Sequence, residues 1–80
     1  MAVYVDDYRG PFRNMRMSHL TADTEAELHA MADRLGLSRA WFQAHPRHPH
    51  YDVCEPLRRM AIRFGAVAES AKDGARRRKG

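Results

Sequence analysis

The sequence lacks most features that identify the larger functional classes of protein. Its 80 residues contain one cysteine, Cys54, which excludes an internal disulfide and any multi-cysteine zinc site. No apolar run approaches the roughly 20 residues that span a bilayer, and no signal peptide opens the chain. A P-loop, a dinucleotide fingerprint and a nucleophile elbow are also missing. These absences predict a cytoplasmic protein with no membrane partner.

The excess of basic residues is confined to one end of the chain. The formal net charge is +4, but five of the 14 Lys and Arg residues, and one of the ten acidic residues, lie from Lys72 onward. Residues 1–71 are therefore electrically balanced. We predict a single domain over residues 1–71, followed by a basic, disordered tail over residues 72–80. Such a tail predicts weak, non-specific contact with nucleic acid.

Two segments carry the signals of an amphipathic helix. Residues 24–27 match the capping box, in which a Thr hydroxyl and the Glu three residues later satisfy free backbone N–H groups. The helix that follows should end at Gly36, and its buried stripe should contain Leu28, Met31, Ala32 and Leu35. Residues 52–55 form a second capping box before a helix that ends at Gly65. Its stripe should contain Leu57, Met60, Ala61 and Phe64.

The remaining pattern predicts strands. Apolar residues on both parities of the pleat predict a buried strand over residues 2–7. Adjacent aromatic residues favour a second strand over residues 39–43, and residues 66–69 a third. Residues 8–22 are expected to form a long flap. Right-handed crossovers would then give an α/β fold, a three-stranded parallel sheet (βαβαβ) with two helices. If both helices cover one face, a second copy of the chain should cover the other, as in a homo-oligomer.

Parallel topology would collect the polar side chains at one edge of this sheet, because strand ends and helix starts then meet there. The edge includes the loop over residues 44–51, which ends in an imidazole, a phenol and a carboxylate. We therefore predict a ligand-binding site formed by Asp6, Asp7, His19, Asp23, Trp41, Gln43, His50, Tyr51, Asp52 and Arg59.

Six segments carry a family resemblance, namely residues 4–7, 19–23, 27–32, 41–43, 50–52 and 65–67. In this order they resemble DUF4031, a small bacterial and bacteriophage family of unknown function. The resemblance runs over nearly all of residues 1–68. It implies a compact stand-alone domain of bacterial or phage origin, and it implies no activity. The chain departs from the family pattern at residues 53–54, where the family often shows an apolar residue and a threonine.

The chemistry of the predicted site has a functional and a structural interpretation. His19, His50 and Asp52 are candidate ligands of a divalent metal ion, since imidazole and carboxylate are common donors. The alternative is a solvent-exposed loop without metal. Two helix starts at one edge favour an anion such as phosphate, although Asp23 would compete for the same N–H groups. Trp41 is either a stacking platform for a base or part of the core.

Three functions stay open at this point. The first is a binding module for a small phosphorylated, nucleotide-like ligand. The second is a metal-dependent hydrolase acting on a phosphoester, whose ligands and base would be Asp6, His19, Asp23, His50 and Asp52. The third is a structural or interaction protein that self-assembles, in which the polar residues only cap helices and form turns. The sequence identifies neither the ligand nor a reaction.

Overall fold

A computed structural model gives the fold of residues 2–12 and 15–79. Met1, residues 13–14 of the predicted flap and Gly80 of the predicted tail lie outside the described residues. Within those two ranges the chain forms five strands, three α-helices and a 3-10 turn at Arg39–Trp41. In chain order the elements are β1 (Val3–Val5), β2 (Gly10–Phe12), β3 (Met15–Ala22), α1 (Glu25–Arg34), β4 (Tyr51–Cys54), α2 (Glu55–Arg63), β5 (Val67–Ala68) and α3 (Ala71–Lys79).

The sheet is mixed, and β3 is the strand around which it is built. β3 pairs antiparallel with β1, β2 and β4, whereas β5 pairs parallel with β1. Leu20 lies between Val5 of β1 and Tyr51 of β4, and Met17 is likewise shared by β2 and β4. β1 and β2 therefore line one edge of β3 and β4 lines the other. The α/β class is confirmed, but the predicted three-stranded parallel sheet is wrong.

Most of the difference between the predicted and the observed sheet arises in residues 8–22, which were predicted to form a flap but contain β3, the central strand. Ser18 and Leu20 are buried while His19 between them is half-buried, which is the two-residue alternation of a strand. Residues 39–43 are not a strand, because Ser38 accepts a hydrogen bond from the backbone N–H of Ala40 and starts the 3-10 turn. Residues 52–55 do not form the predicted capping box, because residues 51–54 form β4 and α2 begins after Cys54 with no capping hydrogen bond from that side chain.

The first helix forms as its sequence predicts. The Thr24 hydroxyl accepts a hydrogen bond from the Glu27 backbone N–H (3.2 Å) and donates one to the Glu27 carboxylate (2.8 Å). The whole predicted stripe is buried, and Gly36 follows with φ of +77°, a conformation that glycine adopts without steric cost. The predicted stripe of the second helix is less completely buried than that of the first. Ala61 is buried, Leu57 and Phe64 are half-buried, and Met60 is exposed.

The two faces of the sheet differ in chemistry. One face, which we call the core face, packs against α1 and α2 and carries Val5, Leu20, Tyr51 and Val53, each fully buried. Because side chains alternate along a strand, the residues between these point to the opposite side. We call that side the second face, and it carries Tyr4, Asp6, Met17, His19, Thr21, His50, Asp52 and Cys54.

The basic end of the chain is helical and packs on the second face, whereas the sequence favoured a disordered tail. Arg77 of α3 donates two hydrogen bonds to the Glu69 carboxylate, at 3.1 and 3.0 Å, and one to the Thr21 hydroxyl at 2.9 Å. Its guanidinium also lies 3.5 Å from the centroid of the Tyr4 ring. These partners hold a segment whose composition alone would not fold. No helix in the described ranges is long and apolar enough to cross a membrane.

Candidate metal centre

Asp6 and His19 form a close pair on the second face, in which Asp6 is buried and His19 half-buried. Asp6 is 1% exposed, and its Oδ2 lies 2.7 Å from His19 Nδ1. Asp6 Oδ1 accepts hydrogen bonds from the backbone N–H groups of Tyr8 and His19. Burial alone raises the pKa of Asp6, but these hydrogen bonds outweigh it and hold that pKa below its usual range. The hydrogen bond to Asp6 raises the pKa of His19 against the effect of burial.

His50 is fixed in the same manner by a backbone group. It is 7% exposed, and its Nδ1 lies 2.8 Å from the carbonyl oxygen of His48, to which it donates. A bridge with Gln43 at both backbone groups orients this residue just before β4. The rings of His50 and His19 meet edge to face with centroids 5.0 Å apart. Each imidazole thus has Nδ1 engaged and Nε2 left for another partner.

Asp52 completes a three-residue set that we call the triad, His19, His50 and Asp52. The register of β3 and β4 places Asp52 directly opposite His19. Its Oδ2 accepts a hydrogen bond from Gln43 Nε2 at 2.9 Å, and its Oδ1 lies 3.6 Å from His50 Nε2. One ligand atom from each member lies within 4.8 Å of the others.

These donors fit a divalent transition metal ion. Two ligands held 2.0–2.1 Å from a tetrahedral ion are about 3.3 Å apart, close to the 3.6 Å between His50 Nε2 and Asp52 Oδ1. Metal-binding histidines usually donate their second ring N–H to a carboxylate or a backbone carbonyl. Asp6 and the His48 carbonyl occupy those two positions here. Two imidazoles and one carboxylate leave coordination positions open for water or substrate.

Two residues outside the triad support its geometry and were not singled out from the sequence. Arg58 of α2 donates from Nε to the Asp6 carbonyl oxygen at 2.8 Å, which fixes the chain where β1 ends. Tyr8 places its ring 4.9 Å from that of His19 and is 58% exposed. Nothing in the sequence distinguishes Arg58 from the other arginines of α2, and Tyr8 belongs to no periodic pattern. Only the fold shows that both lie close to the triad.

A cationic cavity of about 420 Å³ lies on one side of the triad. Three arginines line it, Arg47, Arg77 and Arg78, together with His48 and the carboxylates of Asp23 and Glu25. Nη1 of Arg78 is buried and has no hydrogen-bond partner among the described residues. The His48 ring stacks 5.4 Å from that of His50, so the cavity adjoins the triad.

An apolar groove of about 600 Å³ lies on the other side. Its walls include Met17, Trp41, Phe42, Cys54 and Leu57, and the polar Gln43 and Asp52 also line it. Trp41 is 60% exposed, so its ring is not part of the core. Asp52 belongs both to this groove and to the triad.

The structure brings some of the predicted site residues together and separates others. Asp6, His19, Gln43, His50 and Asp52 meet at the triad, with Trp41 in the adjoining groove. Asp23 lines the cationic cavity and accepts hydrogen bonds from the Ala2 N–H and the Tyr4 hydroxyl. Asp7 accepts a hydrogen bond from the first N–H of α3 at 2.8 Å. Tyr51 lies in the core, where its hydroxyl is 2.7 Å from His29 Nδ1, and Arg59 is exposed on α2.

The fold and the site define a small mixed α/β protein with a two-histidine, one-carboxylate constellation on one face of its sheet. The chain belongs to DUF4031, a family of proteins of unknown function, whose family model matches residues 3–80. No curated protein matches the chain, and no solved structure does.

Proposed function

We propose that the protein is a metal-dependent hydrolase that acts on a phosphoester. The observation that carries the proposal is the orientation of His19 and His50. Each ring is held through Nδ1 by a hydrogen-bond acceptor, the buried Asp6 carboxylate or the His48 carbonyl oxygen, so both Nε2 atoms are available beside the Asp52 carboxylate. An orientation fixed in advance costs no reorganisation when an ion binds.

The cationic cavity supports an anionic substrate. Arg78 and Arg47 both line it, so two guanidinium groups border the cavity. Guanidinium groups bind phosphate oxygens through two parallel hydrogen bonds. When bound, a divalent ion lowers the pKa of a coordinated water and polarises a phosphoryl oxygen. In the hydrolysis the water oxygen forms a bond to phosphorus, the ester P–O bond breaks, and one water proton ends on the departing alcohol.

The residues of the chain have separate tasks in this reaction. Asp6 holds the ring of His19, Gln43 holds one oxygen of Asp52, and the arginines of the cavity attract the phosphate. The same cavity supports a second candidate function, the binding of a phosphorylated ligand without turnover. The two differ in whether product forms when metal and a phosphoester are both present.

The test begins with metal binding by calorimetry, using protein stripped of metal and titrated with Zn²⁺ or Mn²⁺. We expect one site per chain, weakened at least about 100-fold in His50→Ala because a ligand is lost. Asp52→Asn, at a partly exposed position, serves as a second variant should His50→Ala fold poorly. His45→Ala is the matched control, since His45 is an exposed histidine of the same loop outside the triad. Equal affinity of His50→Ala and His45→Ala would contradict the proposal.

Turnover is then measured with p-nitrophenyl phosphate in the presence of each metal. We expect release of p-nitrophenol by the wild type and by His45→Ala, and its loss in His50→Ala and Asp52→Asn. Metal-dependent binding of phosphate with no release of product would support the binding function in place of the hydrolase.

A further inference from the structure

We infer that the apolar groove binds the aromatic alcohol part of the phosphoester, so that the substrates are aryl or nucleoside-like phosphates rather than simple alkyl phosphates. This inference rests on the proposed function, because it assigns one half of the substrate to the groove while the phosphate lies at the triad. Apart from Asp52, which the groove shares with the triad, its lining residues take no part in the proposed metal binding.

The first argument is the order of residues along the second face. On β3 the side chains of Thr21, His19 and Met17 follow one another on this face, and the register pairs His19 with Asp52 and Met17 with Cys54. Thr21 lines the cationic cavity, whereas Met17 and Cys54 line the groove. The triad therefore lies between a cationic and an apolar surface, roughly 7 Å along the strand from each.

This order matches the shape of a molecule that has a phosphate at one end and an aromatic ring at the other. A substrate with its phosphate at the triad has its negative charge toward Arg78 and its alcohol toward Met17 and Cys54. A step of roughly 7 Å is the rise of two residues in a strand, and it is about the distance from a phosphorus atom to the far side of an attached ring. A volume of about 600 Å³ lies within the range of small-molecule sites.

The second argument is the exposure of Trp41. Trp41 is 60% exposed and Met15, which also lines the groove, is 44% exposed, so neither residue contributes much to the core. Aromatic rings stack readily on an exposed indole, and this interaction does not depend on the particular base. Gln43 and Asp52, at the border with the triad, supply the few polar groups that fix the orientation of a ligand in an apolar site.

The chain provides its own reporter for the test, because Trp41 is the sole tryptophan. Metal-loaded protein is titrated with phenylphosphonate and with methylphosphonate, which have no ester bond to hydrolyse, and the Trp41 emission and the dissociation constants are recorded. We expect phenylphosphonate to bind about tenfold more tightly and to change the emission, and methylphosphonate to leave it unchanged. Trp41→Ala should remove the preference, measured by calorimetry, while Zn²⁺ affinity stays at the wild-type value. Ile62→Ala, an exposed apolar position outside the groove, should keep the preference.

Several outcomes would overturn the inference. Equal affinities for the two phosphonates, with constant Trp41 emission and intact metal-dependent turnover of p-nitrophenyl phosphate, would refute the groove assignment and leave the proposed function standing. A dimer that dissociates in Trp41→Ala, and that excludes phenylphosphonate, would show that a second copy fills the groove. Phenol should shift the emission even in His50→Ala, which lacks a metal ligand. The phenol titration therefore tests binding in the groove independently of binding at the metal centre.

Discussion

Asp6 directly follows β1 and His19 lies on the neighbouring β3, and the 2.7 Å between Asp6 Oδ2 and His19 Nδ1 joins a buried carboxylate to a half-buried ring. The pair resembles the carboxylate–histidine arrangement of many metal sites. In the proposed metal site Asp6 would act through His19, since its two oxygens already accept hydrogen bonds from His19 and Tyr8.

Replacing Asp6 should therefore weaken metal binding. We expect Asp6→Asn to lower Zn²⁺ affinity by about 10- to 100-fold, the usual effect of removing such an outer partner. Asp7→Asn is the matched control, because Asp7 contacts the start of α3 and not His19. Calorimetric titration of the two variants measures the difference. An unchanged affinity in Asp6→Asn would mean that His19 is not a ligand.

Tyr51 should matter for stability and not for metal binding. Its hydroxyl lies 2.7 Å from His29 Nδ1 within the core, on the face opposite the triad. Tyr51→Phe should lower the free energy of unfolding by about 1–2 kcal/mol, because the half-buried His29 loses its partner. Urea denaturation measures this change, and Zn²⁺ affinity should equal that of the wild type. A variant as stable as the wild type would contradict the structural role.

The hydrogen bond between Tyr4 and Asp23 should make the free energy of unfolding depend on pH in the acidic range. The Tyr4 hydroxyl, 3.0 Å away, holds the pKa of Asp23 below its usual range. A lowered pKa in the folded state stabilises the protein above the usual pKa, and this contribution is lost as pH falls through the lowered value. Tyr4→Phe should therefore be less stable than the wild type at pH 6, and the difference should shrink below about pH 4.

Tyr4→Phe removes only the hydroxyl, because the aromatic ring under the Arg77 guanidinium is retained. Urea denaturation at a series of pH values measures the difference in free energy of unfolding. A difference that keeps its size from pH 6 to pH 3 would show that the loss of the hydroxyl acts by some route other than the Asp23 carboxylate.

Glu69 should control the docking of α3. Its carboxylate receives two hydrogen bonds from Arg77, and both side chains are largely buried. Glu69→Gln removes the charge and one acceptor, so the amide protons of residues 71–79 should exchange faster by at least about tenfold. Hydrogen exchange detected by NMR resolves this region, and the amides of α1 provide an internal reference. Unchanged exchange in α3 would mean that other contacts hold it.

Local signals were sufficient to predict α1 and the region of α2, whereas α3 was predicted to be a disordered tail. Thr24, Glu27 and Gly36 act within one or two turns of α1, so the sequence around them determines its bounds. Strand pairing is different, because the partners of β3 are distant in the chain and its alternation of burial becomes visible only after pairing. The residues of β3 were thus interpreted as a flap, and the sheet as parallel.

The candidate metal ligands were named from residue type and spacing, but the predicted route to their assembly differs from the structure. His19 meets Asp52 because β3 and β4 are antiparallel neighbours, and not because parallel strands end at one edge. The contribution of Arg77 could not be predicted, since its partners, Glu69, Thr21 and Tyr4, are set by tertiary packing. Arg78 lines the cavity only because α3 docks beside it. Metal binding itself stays a prediction.

The pairing of β4 with β3 determines how the triad would respond to a shift in the register of these two strands. A shift of β4 by a single residue would turn Tyr51 and Val53 toward solvent and bury His50 and Asp52 among apolar side chains. The free energy gained by burying Tyr51 and Val53 therefore penalises any such slippage and keeps the imidazole and carboxylate in alignment. Substitutions that weaken the packing of those two residues should disorder the triad even though they never touch it.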